Sequence, residues 1–70
     1  MTLHQSYLCR LQQALTPLPP DMIEDIVNEV DWHFRAATKA GRNEREAANG
    51  LGDPTSLGAA YCAAALGAHA

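Results

Sequence analysis

The sequence predicts an all-α fold, a compact bundle of three to four short helices, and three observations support this class. Apolar residues recur at intervals of three and four over residues 23–37, which is the spacing of one helix face. Residues that end or begin helices stand at Gly41 and in Gly52-Asp53-Pro54. A chain of 70 residues is enough for one small domain. We therefore treat residues 1–70 as a single helical domain.

The first helix is predicted over residues 3–15. Thr2 fits its N-cap, and Gln5, three residues further on, fits the reciprocal position of a capping box. The proline-rich sequence of residues 16–20 ends the helix, because proline lacks an amide donor and clashes with the preceding turn.

The second helix is predicted over residues 20–40. Pro20 suits the first helical position, and Asp21 places negative charge at the positive end of the helix dipole. The apolar stripe of this helix is the strongest periodic signal in the chain. The predicted core consists of residues of this stripe, two leucines of the first helix and the leucine before Gly52. These residues are Leu11, Leu15, Ile23, Ile26, Val27, Val30, Phe34 and Leu51.

The third helix is predicted over residues 44–50. Gly41 ends the helix before it, since glycine readily takes the left-handed conformation. Asn43 fits the N-cap, with Glu46 three residues further on.

The fourth helix is predicted over residues 54–67. Asp53 fits the N-cap and Pro54 the first helical position, and we expect Gly52 at positive φ.

Small residues repeat every four positions along the fourth helix, as Gly58 with Cys62 and Ala59 with Ala63. This spacing lets another helix approach closely. Either the fourth helix packs against the first, or it carries a self-association surface.

Charge and hydropathy exclude several classes of function. The net charge of −3 argues against a phosphate-binding surface, so no nucleic acid is expected as a partner. No run reaches the roughly 20 apolar residues of a membrane span, so we expect no direct membrane insertion by this segment. The N-terminus does not resemble a signal peptide, and a cytoplasmic location is expected, either free or attached to a membrane through further segments or a partner. Cys9 and Cys62 lie outside any paired motif and are expected to be free, buried thiols.

No catalytic, cofactor or metal site is predicted. The sequence has no phosphate-binding glycine loop, nucleophile elbow or paired-histidine metal motif. The acidic residues of the second helix are expected to lie on a solvated face. The potential metal ligands are scattered along the sequence without the paired spacing of a metal site. The acidic residues are Asp21, Glu24, Asp25, Glu29 and Asp31, and the potential metal ligands are His4, Cys9, His33, Cys62 and His69.

His33 falls at the edge of the apolar stripe. It could be a proton switch or a ligand. The simpler interpretation is a boundary residue whose ring packs on the core while one nitrogen hydrogen-bonds to a neighbouring helix terminus.

Trp32 departs from the pattern, because it falls nearly opposite the apolar stripe, beside Asp25 and Glu29. Aromatic residues are enriched at the energetic centres of protein interfaces. Either these three residues form a partner-binding surface, or the first or fourth helix folds over Trp32.

One further pattern runs along nearly the whole chain: Leu8-x-x-Leu11-x-x-x-Leu15-x-x-Leu18-Pro19, Ile23-x-x-Ile26, Glu29-x-x-x-His33-Phe34, Gly41-Arg42-x-Glu44-x-Glu46 and Leu51-Gly52-Asp53-Pro54. The order and spacing of these residues resemble the HAAS signalling domain, and a similar pattern occurs in permease prefix domains. The resemblance implies a small helical cytoplasmic domain of bacterial membrane proteins, associated with PadR-like transcription regulators. It brings no catalytic residue with it. Trp32 stands where that pattern leads us to expect a polar residue.

The sequence therefore predicts a non-enzymatic interaction or signalling module. Its expected partner is a PadR-like regulator, a membrane protein or a second copy of the chain. Two alternatives remain at this point, a small helical DNA-binding regulator and a stand-alone homo-oligomeric structural protein. A DNA titration at several salt concentrations would test the first of these.

Overall fold

Four α-helices make up the fold of the described residues, and this confirms the predicted all-α class. A computed structural model describes residues 2–67 of the chain, and the side chains of residues 2–65. The helices are α1 (Leu3–Ala14), α2 (Pro20–Lys39), α3 (Glu44–Leu51) and α4 (Pro54–Gly67). Their bounds differ from the predicted ones by at most one residue, because Leu15 and Ala40 act as C-caps and Gly52 ends α3.

Capping by neighbouring residues accounts for the start of α1. The Thr2 hydroxyl accepts a hydrogen bond from the Gln5 amide at 3.1 Å, and the Gln5 side chain accepts one from the Thr2 amide at 3.2 Å. Both halves of a capping box are therefore present.

Gly41 ends α2 by adopting a left-handed backbone conformation. It has φ 90°, the Gly41 amide donates to the Thr38 carbonyl at 3.0 Å, and the Arg42 amide donates to the Ala37 carbonyl at 2.9 Å. This pair of bonds is the Schellman arrangement, which satisfies carbonyls at the helix end. The chain turns sharply there and brings α3 back against α2.

The core lies where α2 meets α1. Five of the eight predicted core residues are buried, and the burial of Tyr7 and Leu18 adds to them. Ile23, Val27 and Leu51 are only partly buried against this cluster, which corrects the prediction. Leu51 belongs to the eight-residue α3, which has no buried residue of its own. The buried residues of the predicted core are Leu11, Leu15, Ile26, Val30 and Phe34.

The close approach of α4 to α1 depends on small side chains. Gly58 is buried against Ala14, and one turn later the Cys62 thiol donates a hydrogen bond to the Ala14 carbonyl at 3.4 Å. Ala59 and Ala63 face outward and are exposed. One row of small residues thus packs within the molecule, as the first of our two alternatives proposed. Among residues 2–67, no helix combines the length and the hydropathy needed to cross a membrane.

Candidate functional site

Trp32 is the most exposed large apolar side chain of the described residues. It stands on the outer side of α2 with 65% of its surface accessible, and neither α1 nor α4 covers it. Its only aromatic neighbour in that part of the chain is His33, whose ring meets the indole edge-on at 5.9 Å. Most of the indole surface is therefore free to bury against another molecule.

Asp25 and Glu29 share the outer face of α2 with Trp32, and both side chains are exposed. Within residues 2–67 neither carboxylate forms an ion pair. Glu29 lies close enough to α4 to affect Tyr61, whose pKa is raised first by burial and then by the negative charge of Glu29. The three residues of the predicted surface thus lie together on one exposed face, which we call the α2 outer face.

Asp31 does not belong to this solvated face, contrary to our expectation. Its carboxylate lies 2.6 Å from the Nε2 atom of His4, and its other oxygen accepts a hydrogen bond from Arg35 Nε at 2.9 Å. Arg35 follows at the i,i+4 spacing of helical ion pairs, a signal that the sequence contains. His4 lies 27 positions away on another helix, and no local pattern indicates that contact.

His4 links the start of α1 to α2 and to α3. Its ring stacks on Phe34 with centroids 4.5 Å apart and 11° between the planes, and its backbone amide donates to Glu44 Oε1 at 2.7 Å. A histidine paired with a carboxylate is also part of hydrolytic triads. Here, within residues 2–67, no serine, threonine or cysteine hydrogen-bonds to the His4 ring. The geometry favours a structural tie between helices.

His33 differs from its predicted role. Its side chain is exposed, and within the described residues its ring forms no hydrogen bond to a helix terminus. The ring lines a shallow depression of about 190 Å³ between α2 and α3. The histidine that packs on the core is His4, because α1 crosses the side of α2 that carries Phe34.

The remaining motif residues organise the two junctions around α3. Asn43 Oδ1 accepts from the Glu46 amide at 2.8 Å, which caps α3. Gly52 has φ 87° at the end of α3, and Asp53 Oδ2 accepts from the Ser56 amide at 3.0 Å beside Pro54, the first residue of α4. These residues shape the backbone of the two turns.

A groove of about 410 Å³ separates α1 from the α3–α4 junction. Tyr7 crosses its floor, where its hydroxyl donates to the Gly52 carbonyl at 2.8 Å. Burial raises the pKa of Tyr7, and the charge of Asp53 adds to the effect. The groove is open, and the side chains of Arg10 and Asn49 at its edges are exposed.

The two cysteines are free, but their burial differs from our expectation. Cys9 is exposed, because α1 turns that side of its surface away from the other helices, and Cys62 is half-buried against α1. Among residues 2–67 no three histidine, cysteine or acidic side chains converge as metal ligands. His69 lies outside the described residues.

Comparison with known proteins identifies one relationship. The model of the HAAS family matches residues 6–60, which include the core, both helix junctions and the α2 outer face. No curated protein matches the chain. No solved structure matches it either.

Proposed function

Because the chain belongs to the HAAS family and exposes a tryptophan on one of its helices, we propose that it is a non-enzymatic protein-interaction module. The α2 outer face is its docking surface, with Trp32 as the anchor and Asp25 and Glu29 as the flanking charges. The exposure of Trp32 carries the proposal. A 65% accessible indole is costly to leave in water, and its burial in a complex is correspondingly favourable.

Charge indicates what kind of protein fits this face. Asp21, Asp25 and Glu29 are all exposed and follow one another at intervals of four residues along one side of α2. A partner that offers lysine or arginine beside an apolar pocket would complement both features. The family resemblance suggests a PadR-like regulator or a membrane protein as that partner, on the cytoplasmic side of a bacterial membrane.

Indole fluorescence tests the proposal directly, since Trp32 is the only tryptophan in the chain. A tryptophan-free variant of a PadR-like regulator would be titrated into the domain. We expect long-wavelength emission from the free domain and a blue shift on binding.

Trp32→Ala should weaken binding roughly thirtyfold, which corresponds to a loss of about 2 kcal/mol at a buried aromatic anchor. The affinity of this variant would be measured by calorimetry, and circular dichroism should show an unchanged fold. Leu3→Ala is the matched control, because Leu3 is 45% exposed but lies on α1. Equal affinities for the wild type and Trp32→Ala would reject the α2 outer face as the docking surface.

A further inference from the structure

Two residues of the α2 outer face, Asp25 and Trp32, lie in line with Lys39 further along the same helix, so that opposite charges flank the indole. Asp25 precedes Trp32 by seven residues, and Lys39 follows it by seven. Seven residues advance an α-helix by about 10.5 Å and rotate it only about 20° from two full turns. All three side chains are exposed. These three residues therefore form a stripe that presents a carboxylate, an indole and an ammonium group in line, with the charges equally far from the indole.

Neither end of the stripe is neutralised within the described residues. Both ion pairs found there belong to Asp31, which pairs with His4 and Arg35. Asp25 and Lys39 lie about 21 Å apart along the axis, too far to pair with each other. Each charge is thus available to a partner.

From this arrangement we propose that the α2 outer face also docks against a second copy of this chain, with the two α2 helices antiparallel around a two-fold axis at Trp32. An antiparallel copy places Lys39 opposite Asp25 at both ends of the contact. A parallel copy would place Asp25 opposite Asp25 and Lys39 opposite Lys39. The stripe is therefore complementary to itself in one orientation only, as an isologous interface requires. This inference rests on the proposed docking role of the α2 outer face.

The residues one turn on either side of Trp32 leave room for such a contact. Asn28 precedes it by four positions and Ala36 follows it by four, and neither side chain is large. The indole of the second copy can therefore approach beside the first one. Aromatic pairs of this kind prefer offset or edge-to-face arrangements.

The size of the contact indicates a weak dimer. The 20 residues of α2 span about 30 Å, and a single helix about 10 Å wide covers far less than the roughly 800 Å² per partner of a standard interface. We therefore expect a weak, concentration-dependent equilibrium between monomer and dimer, as for small transient interfaces.

Charge reversal tests the orientation. Sedimentation equilibrium would compare the wild type, Asp25→Lys, Lys39→Asp and an equimolar mixture of the two variants, from about 10 μM to 1 mM, with circular dichroism as the check on folding. Each variant alone should associate at least roughly tenfold more weakly, because both attractive pairs become repulsive. In the mixture both pairs become attractive again, and association should return to within about threefold of the wild type.

Glu24→Lys is the matched control, since it makes the same charge change on an exposed side chain of α2 that lies off the stripe. This variant should dimerise like the wild type. A monomeric wild type at 1 mM, or a mixture no tighter than its components, would overturn the antiparallel dimer.

The regulator titration separates this failure from that of the proposed function. If the wild type stays monomeric but binds the regulator through Trp32, the second copy is wrong as the partner and the docking face stands. If Trp32→Ala changes neither self-association nor regulator binding, both ideas fail.

Discussion

Replacing Gly58 by alanine tests the packing of α4 on α1, because two opposing effects of known size meet at this position. Alanine inside a helix is favoured over glycine by about 1 kcal/mol. A methyl group on Gly58, however, would lie closer than 3.0 Å to Cβ of Ala14, and 3.3 Å and 3.4 Å from its carbonyl carbon and Cα. These atoms belong to the end of α1 and cannot rotate away.

The packing cost should exceed the gain in helix propensity. Overpacking a well-packed contact costs about 1–3 kcal/mol, and an overlap of this size belongs in the upper half of that range. We expect a net loss of about 1–2 kcal/mol, which lowers the melting temperature of so small a domain by roughly 5–15 °C. Thermal unfolding followed by circular dichroism measures this shift.

Gly50→Ala provides the matched control. Gly50 is also helical, and a methyl group there would meet no atom within 4 Å. Only the propensity term applies, so this variant should melt several degrees higher than the wild type. Ala14→Gly combined with Gly58→Ala should recover part of the lost stability, since the overlapping methyl group is removed. If Gly58→Ala raised the melting temperature as Gly50→Ala does, the close contact between α4 and α1 would be refuted.

Three further substitutions probe the core and the junction between α3 and α4. Val30→Asp should abolish the cooperative unfolding transition, because Val30 is 1% exposed and an unpaired buried charge costs several kcal/mol; a retained transition at the wild-type midpoint would contradict the predicted stripe. Gly52→Ala should cost about 1 kcal/mol, since φ is 87° there, and an unchanged or higher melting temperature would count against this reasoning. Tyr7→Phe should lose about 1 kcal/mol with the hydrogen bond to Gly52. Burial chiefly raises the folded-state pKa of Tyr7 above 10.0, so the stability of the wild type should fall as pH rises above 10. Tyr7→Phe should lose less stability over the same range. Parallel pH profiles of the denaturant midpoints of the two proteins would contradict this assignment to Tyr7.

Local sequence was sufficient for the helices because the signals that start and stop them act within a few residues. The Thr2 hydroxyl accepts a hydrogen bond from the Gln5 amide three residues away, and Gly41 takes its positive φ within the turn that it forms. The stripe of α2 was also readable, since one helix face repeats at a known period, and Val30 and Phe34 are buried as predicted.

The composition of α4 explains why its packing face was not predictable. The helix contains no charged residue between Pro54 and Gly67, and its apolar residues lie on all sides. Without an amphipathic pattern, either row of small residues could face α1. The tertiary structure selects Gly58 and Cys62, and it leaves Ala59 outside.

The sequence by itself determined the helical class, the positions of the turns and the family, because capping, backbone conformation and hydrophobic period are properties of short segments. Only the tertiary structure decided which of the polar and aromatic residues are covered by a neighbouring helix. His4 stacks on Phe34 and pairs with Asp31, while Trp32, the residue after Asp31, stays exposed to solvent. The physical reason is that the burial of a side chain on one helix depends on where another helix crosses it. The hydrophobic periodicity of a single helix does not indicate the position of that crossing.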